Sequence, residues 1–149
     1  MPAKLLDYKV SQPSNGEPGG ILPGGIQLPY VLGSPDSIIL ADVGIYLSSG
    51  PPNRIELGIT VGLGHPQNDK IELTIEFLRD ESVIWIGRHE LPGVTDFEVN
   101  ELHLITTMGA DFNAPAGFHV YTCRLTPVTS GIVRIDGPVT LSGTAYAMT

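Results

Sequence analysis

Arg54-Ile55-Glu56-Leu57-Gly58-Ile59-Thr60-Val61-Gly62-Leu63 and, a few residues on, Lys70-Ile71-Glu72-Leu73-Thr74-Ile75-Glu76-Phe77-Leu78-Arg79 decide the fold class. In the first run Ile55, Leu57, Ile59, Val61 and Leu63 alternate with Glu56, Gly58, Thr60, Gly62 and Gly64, the period-two pattern of a strand with one dry face. The second run repeats it, with Ile71, Leu73, Ile75 and Phe77 on one side and Glu72, Thr74 and Glu76 on the other. Asp80 and Glu81 then make a polar tip and Ser82 to Ile86 turns back, a hairpin that sets the class as antiparallel β. No catalytic or cofactor motif occurs in this stretch or elsewhere, so no catalytic, cofactor-binding or metal-binding residue is assigned.

The totals narrow the possibilities further. A chain of 149 residues is one ordinary domain, able to bury its own core without a metal or disulfide. With 42% hydrophobic and 16% charged residues it is more apolar than a solitary soluble domain requires, which predicts surface covered by other copies. The net charge of −8 and the scattered basic residues argue against nucleic acid and anionic membrane as partners. One cysteine excludes an internal disulfide and a multi-cysteine metal site. Met1 to Val10 has no basic start followed by an apolar core, and no run approaches the ~18 apolar residues of a span. Synthesis in the cytosol without a signal peptide, and no membrane insertion, are therefore expected.

Residues 1–35 differ from residues 36–149 and are read as an arm preceding the folded domain. Pro2, Pro13, Pro18, Pro23, Pro29 and Pro35 with six glycines suit neither helix nor central strand. Within it Pro18-Gly19-Gly20-Ile21-Leu22 is followed directly by Pro23-Gly24-Gly25-Ile26, each Pro-Gly favouring a type II turn and each Ile offering an apolar knob. This repeat is the candidate assembly segment. Ser37 to Leu47 reads as one strand broken near Asp42 or as two short ones. Ser82 to Glu90 is a strand apolar on both sides, with Val83 and Trp85 opposite Ile84 and Ile86, which needs covering twice or an interface. Asp96 to Thr106 is the next strand, Met108 to Gly117 a loop and Phe118 to Thr126 a strand. Gly131–Asp136 and Pro138–Ala147 read as a last hairpin turning at Asp136-Gly137. Eight or nine strands without a helical stretch imply an antiparallel jelly-roll sandwich.

Few residues invite chemistry. Cys123 alternates with Tyr121 and Leu125 and so faces the core as a small hydrophobe. His65, His89, His103 and His119 lack the spacing that presents two imidazoles to one metal. Asp69 with Glu72, and Asp80 with Glu81, read as charges that solvate loop tips. Tyr46, Tyr121, Tyr146 and Trp85 suit packing better than sugar stacking, and the small residues around Tyr146 suit close approach between copies. Ile84, Trp85, Ile86 and Tyr146 form the candidate interface.

Pro115-Ala116-Gly117-Phe118-His119-Val120-Tyr121-Thr122, followed by Gly137-Pro138-Val139-Thr140-Leu141-Ser142-Gly143-Thr144-Ala145, resembles the C-terminal part of small jelly-roll proteins on the endospore surface of Bacillus-like bacteria. Arg79-Asp80-Glu81-Ser82-Val83-Ile84 is similar to that group's Arg-Asp-Gly-x-x-Ile hairpin tip, with Glu81 in place of glycine. These exosporium and spore-appendage proteins are related in fold to tumour necrosis factor and complement C1q heads. The resemblance implies a homotrimer or filament on the spore surface, among other spore-surface proteins. The expected function is therefore a non-enzymatic self-assembling subunit whose N-terminal arm docks onto a neighbouring subunit or layer. The alternative is a trimeric binding head for glycans or a surface receptor.

Overall fold

The structure, a computed structural model, describes residues 3–11, 28–64, 70–92, 102–128 and 131–148. Its strands are β1 (Ala3–Ser11), β2 (Tyr30–Gly33), β3 (Ile38–Leu47), β4 (Asn53–Gly64), β5 (Ile71–Arg79), β6 (Ser82–Leu91), β7 (Leu102–Phe112), β8 (Gly117–Pro127) and β9 (Ile132–Met148). They form two antiparallel sheets, one in the order β1-β9-β4-β7 with β2 also on β9, the other β3-β8-β5-β6. Setting β2 aside, the chain passes from sheet to sheet at each connection but the β5–β6 hairpin. That is the winding of an eight-stranded jelly roll.

The two alternating runs behave as their pattern dictates. Ile55, Leu57, Ile59, Val61 and Leu63 of β4 are completely buried, as are Leu73, Ile75 and Phe77 of β5. β4 and β5 lie in different sheets, so their dry faces meet across the core. At the β5–β6 tip Asp80 and Glu81 both have positive φ, 46° and 74°, as a two-residue type I′ turn requires. Cys123 is buried between Tyr121 and Leu125 on the core face of β8.

Bulges supply core side chains that alternation alone would not. Register shifts between Leu5 and Asp7, between Ile39 and Ala41, and opposite Phe77 and Leu78 leave Leu6, Leu40 and Ile84 as extra residues. Leu40 is buried, and Leu6 and Ile84 pack against the core. The break expected in β3 near Asp42 thus lies at Leu40, and β3 is one strand.

Two other expectations are corrected. β9 is a single strand across Asp136-Gly137, where a turn was expected. It keeps pairing with β4 past an irregularity opposite Gly62, with Val61 facing Val139 and Leu63 facing Ile135. Gly137 takes φ 84°, and a Cβ on Gly62 would lie 2.0 Å from the Gly137 carbonyl oxygen. The glycines therefore let one strand bend instead of ending it. Likewise the segment expected to be a loop from Met108 continues β7 to Phe112. Residues 96–101, expected to begin that strand, lie outside the described residues.

The first 35 residues, read as an arm, contribute β1 and β2 to the edge of β9. The repeat Pro18 to Ile26 lies outside the described residues. The backbone contact at the β9 bend yields a prediction. Gly62→Ala should lower stability by about 3 kcal/mol, whereas Gly33→Ala, with open space around the added methyl, should change it by less than about 0.5 kcal/mol. Urea unfolding of the two variants measures the contrast.

Candidate functional site

β7 carries its polarity inside out. In its pairing with β4, His103, Ile105, Thr107, Gly109 and Asp111 stand opposite the inward residues Leu63, Val61, Ile59, Leu57 and Ile55. Leu104, Thr106, Met108, Ala110 and Phe112 therefore point away from the core. Two of the inward polar groups, Thr107 and Asp111, are taken up across the gap between the sheets. The Thr107 hydroxyl lies 2.6 Å from His89 Nε2 on β6, and burial holds His89 below its usual value, hence neutral. Asp111 Oδ2 accepts from Arg79 Nη1 at 2.7 Å and from the Tyr121 hydroxyl at 2.7 Å. Gly109 leaves room for the rings of Phe77 and Trp85, whose centroids are 5.4 Å apart.

The outward side of β7 joins a wider apolar face. Leu5, Tyr8 and Val10 of β1 and Leu104, Met108 and Phe112 of β7 are between 42% and 65% exposed. Register places both groups on the outer side of the same sheet, one at each edge. Between them run mostly short side chains, Gly58, Thr60 and Gly62 of β4 and Thr140, Ser142 and Thr144 of β9, with the Arg54–Glu56 ion pair at one end. Met108 leans over Gly58, where a Cβ would meet its sulfur at 2.8 Å. The result is two greasy ridges flanking a low floor, bordered by Tyr146 with the Arg54 guanidinium 5.3 Å from its ring centre.

At one end of the sandwich a polar cluster ties three connections together. Asp80 Oδ1 accepts from the Val120 N–H at 2.9 Å, and Asp80 Oδ2 lies 2.5 Å from His119 Nδ1. His119 Nε2 is 2.7 Å from the Pro115 carbonyl oxygen, so the ring bridges Asp80 and Pro115. Asn53 adds a two-way bridge to Ala114, accepting its N–H at 2.9 Å and donating to its carbonyl at 2.7 Å. Glu76 and Arg124 pair through two hydrogen bonds on the outer side of the other sheet.

This cluster ties backbone to side chain, and the nucleophile-bearing side chains of β8 lie apart from it in the core. Burial first, then the bond to Asp111, pushes the Tyr121 phenol well above its usual range. Burial pushes the Cys123 thiol up as well, so neither is poised as a nucleophile at neutral pH. Among the described residues no group of three His, Cys, Asp or Glu side chains could hold a metal ion. A shallow recess lined by Asp80, Glu81, Val120 and Thr122 opens on the outer side of β8.

The residues expected to form an interface do not make one patch. Trp85 faces inward against Phe77, and Ile84 is the bulge residue that packs on the core. Ile86 is exposed on the outer side of the β5–β6 sheet, and Tyr146 lies on the outer side of the opposite sheet. Sequence reasoning missed Met108 and Phe112 because the segment after Thr106 looked like loop, and with them the ridge they form with Leu104. The available signal was their own alternation, with polar residues taken as the dry side. Compared with known proteins, the chain matches no family model and no curated protein.

Partial burial works against the charge on Asp80, but the hydrogen bonds from His119 and the Val120 N–H, with the nearby charges of His119 and Arg79, outweigh it and hold its carboxyl below the usual range. A depressed carboxyl contributes stability above the unfolded value of about 3.9 and loses it as pH falls through the lower folded value. Urea midpoints should therefore drop steadily below about pH 4, and Asp80→Asn should flatten that acid limb. An unchanged acid limb in Asp80→Asn would contradict the assignment.

Proposed function

We propose that the chain is a non-enzymatic structural subunit that assembles with copies of itself through the outer face of the five-stranded sheet. The setting is an endospore surface or a surface fibre, as its resemblance to exosporium and appendage proteins implies, with the N-terminal segment reaching a neighbouring subunit or layer. The observation that carries this is the pair of apolar ridges on β1 and β7. Four strands about 4.8 Å apart and about ten residues long present roughly 600 Å², against roughly 800 Å² buried per partner in a standard interface. Within that area the exposed apolar side chains gather into two ridges, and such clusters on soluble proteins mark places where something else sits.

The arrangement also suits a closed assembly. The ridges stand at the two edges of the face with short side chains between them, so a ridge of one copy fits the floor of another. A contact between unlike parts of the same surface closes into a ring when its rotation allows, and a homotrimer is the ring the resemblance implies. The alternative, a glycan-binding head, draws on Tyr8 and Tyr146 of the same face as stacking platforms. It requires Tyr8 to stay accessible in the assembled protein.

Native mass spectrometry at micromolar concentration should show a closed oligomer for the full chain. Met108→Glu combined with Phe112→Glu should release monomers with unchanged circular dichroism, because both side chains face outward in the subunit. A monomeric parent protein would overturn the proposal. Binding to a glycan array that is lost in Tyr8→Ala, while the oligomer persists, would favour the binding head.

A further inference from the structure

β1 differs from its neighbours in how it is held. Of its nine residues only Ser11 is buried, Leu6 and Asp7 are half-buried, and the other six are exposed. In β4, by contrast, every second residue is buried without exception. What fixes β1 is chiefly the backbone ladder to β9, running from Ala3 opposite Met148 to Ser11 opposite Leu141. One side-chain clasp is added, Asp7 Oδ2 accepting from the Tyr46 N–H at 2.9 Å. Backbone ladders give affinity with little dependence on which chain supplies the strand.

The connection that follows is far longer than its path within one subunit requires. β2 continues along the same edge of β9, Tyr30 opposite Ile135 to Gly33 opposite Ile132. The stretch of β9 between the ends of β1 and β2 is residues 136–140, roughly 17 Å at the rise of a strand. Residues 12–29, which join the two, reach up to roughly 60 Å when extended. The same chain length therefore reaches the β9 edge of an adjacent copy.

We propose that β1 is an exchangeable strand: in the assembled protein it occupies the Leu141–Met148 edge of a neighbouring copy. The partner is a second copy of this chain, because the slot is complementary to β1 itself. The vacated edge of the donor accepts β1 from a third copy. Repeated, this links subunits into a ring or chain; strand exchange of this kind is a low-cost route to assembly. The proposal deepens the self-assembly reading by naming the segment and its slot, and it can fail while that reading stands.

Tyr8 and Thr144 are direct partners across the β1–β9 ladder, within the reach of a disulfide once both are cysteine. Full-length Tyr8→Cys protein and full-length Thr144→Cys protein, unfolded together, refolded and oxidised, should give a disulfide-linked dimer containing one chain of each. The mixture of Leu5→Cys with Ser142→Cys, which is four residues out of register on the same face, should not, which separates strand exchange from simple stacking of faces. Deleting residues 14–25 leaves enough chain to pass residues 136–140 but not to reach another copy. In that background the mixed disulfide should vanish, while a double Tyr8→Cys/Thr144→Cys variant should close its disulfide within one chain. The proposal is overturned if the full-length mixture yields no mixed dimer and the full-length double variant cross-links only within itself. An oligomer in native mass spectra alongside that result would leave the self-assembly reading intact.

Discussion

The fold depends on one constraint, that β4 send an unbroken row of side chains into the space between two sheets. Ile55, Leu57, Ile59, Val61 and Leu63 are all wholly buried, and β4 is flanked on both sides, by β9 and β7. Because side chains alternate along a strand, this fixes which residues of both neighbours also face inward. β9 meets the demand over its whole length by bending where Gly62 and Gly137 touch. Any side chain at Gly62 would collide with the bend, so the pairing on both sides of it relies on those two small residues.

β7 meets the same demand with the wrong residue types, and the consequences run outward in both directions. Its inward polar groups need partners in a dry space, where an unsatisfied group costs on the order of 1–3 kcal/mol. Thr107 finds one in His89, and Asp111 two in Arg79 and Tyr121, on the opposite sheet. Leu104, Met108 and Phe112 are left on the outer surface, in line with the apolar residues of β1. A strand with one row hydrogen-bonded across the core and one row greasy toward solvent is costly for an isolated subunit and reasonable for one whose outer face is covered.

Legibility in the sequence followed the chemistry of each strand. β4, β5 and the hairpin tip at Asp80-Glu81 were readable because apolar residues there coincide with the buried row. Cys123 was readable for the same reason. β7 beyond Thr106 was not, since its buried row holds Thr107, Gly109 and Asp111, and β9 was split because Asp136-Gly137-Pro138 has the composition of a turn. β1 escaped notice because a strand held by its backbone leaves little periodicity in its side chains. The bulge in β6 explains why Ile84 and Trp85 both turn toward the core, a geometry that strict alternation does not foresee. Of the candidate interface only Tyr146 lies on the apolar face, whose ridges were not anticipated.

The central claim is that the outer face of the five-stranded sheet is covered by another copy. Met108 reports on it directly, being 65% exposed in the single subunit and carrying a thioether that peroxide oxidises at a rate set by access. Peptide mass spectrometry of the full chain, treated with peroxide at micromolar concentration beside free methionine, gives that rate. The account predicts that Met108 reacts much more slowly in the native protein than in the same protein unfolded in denaturant. Oxidation of native Met108 as fast as free methionine would contradict it.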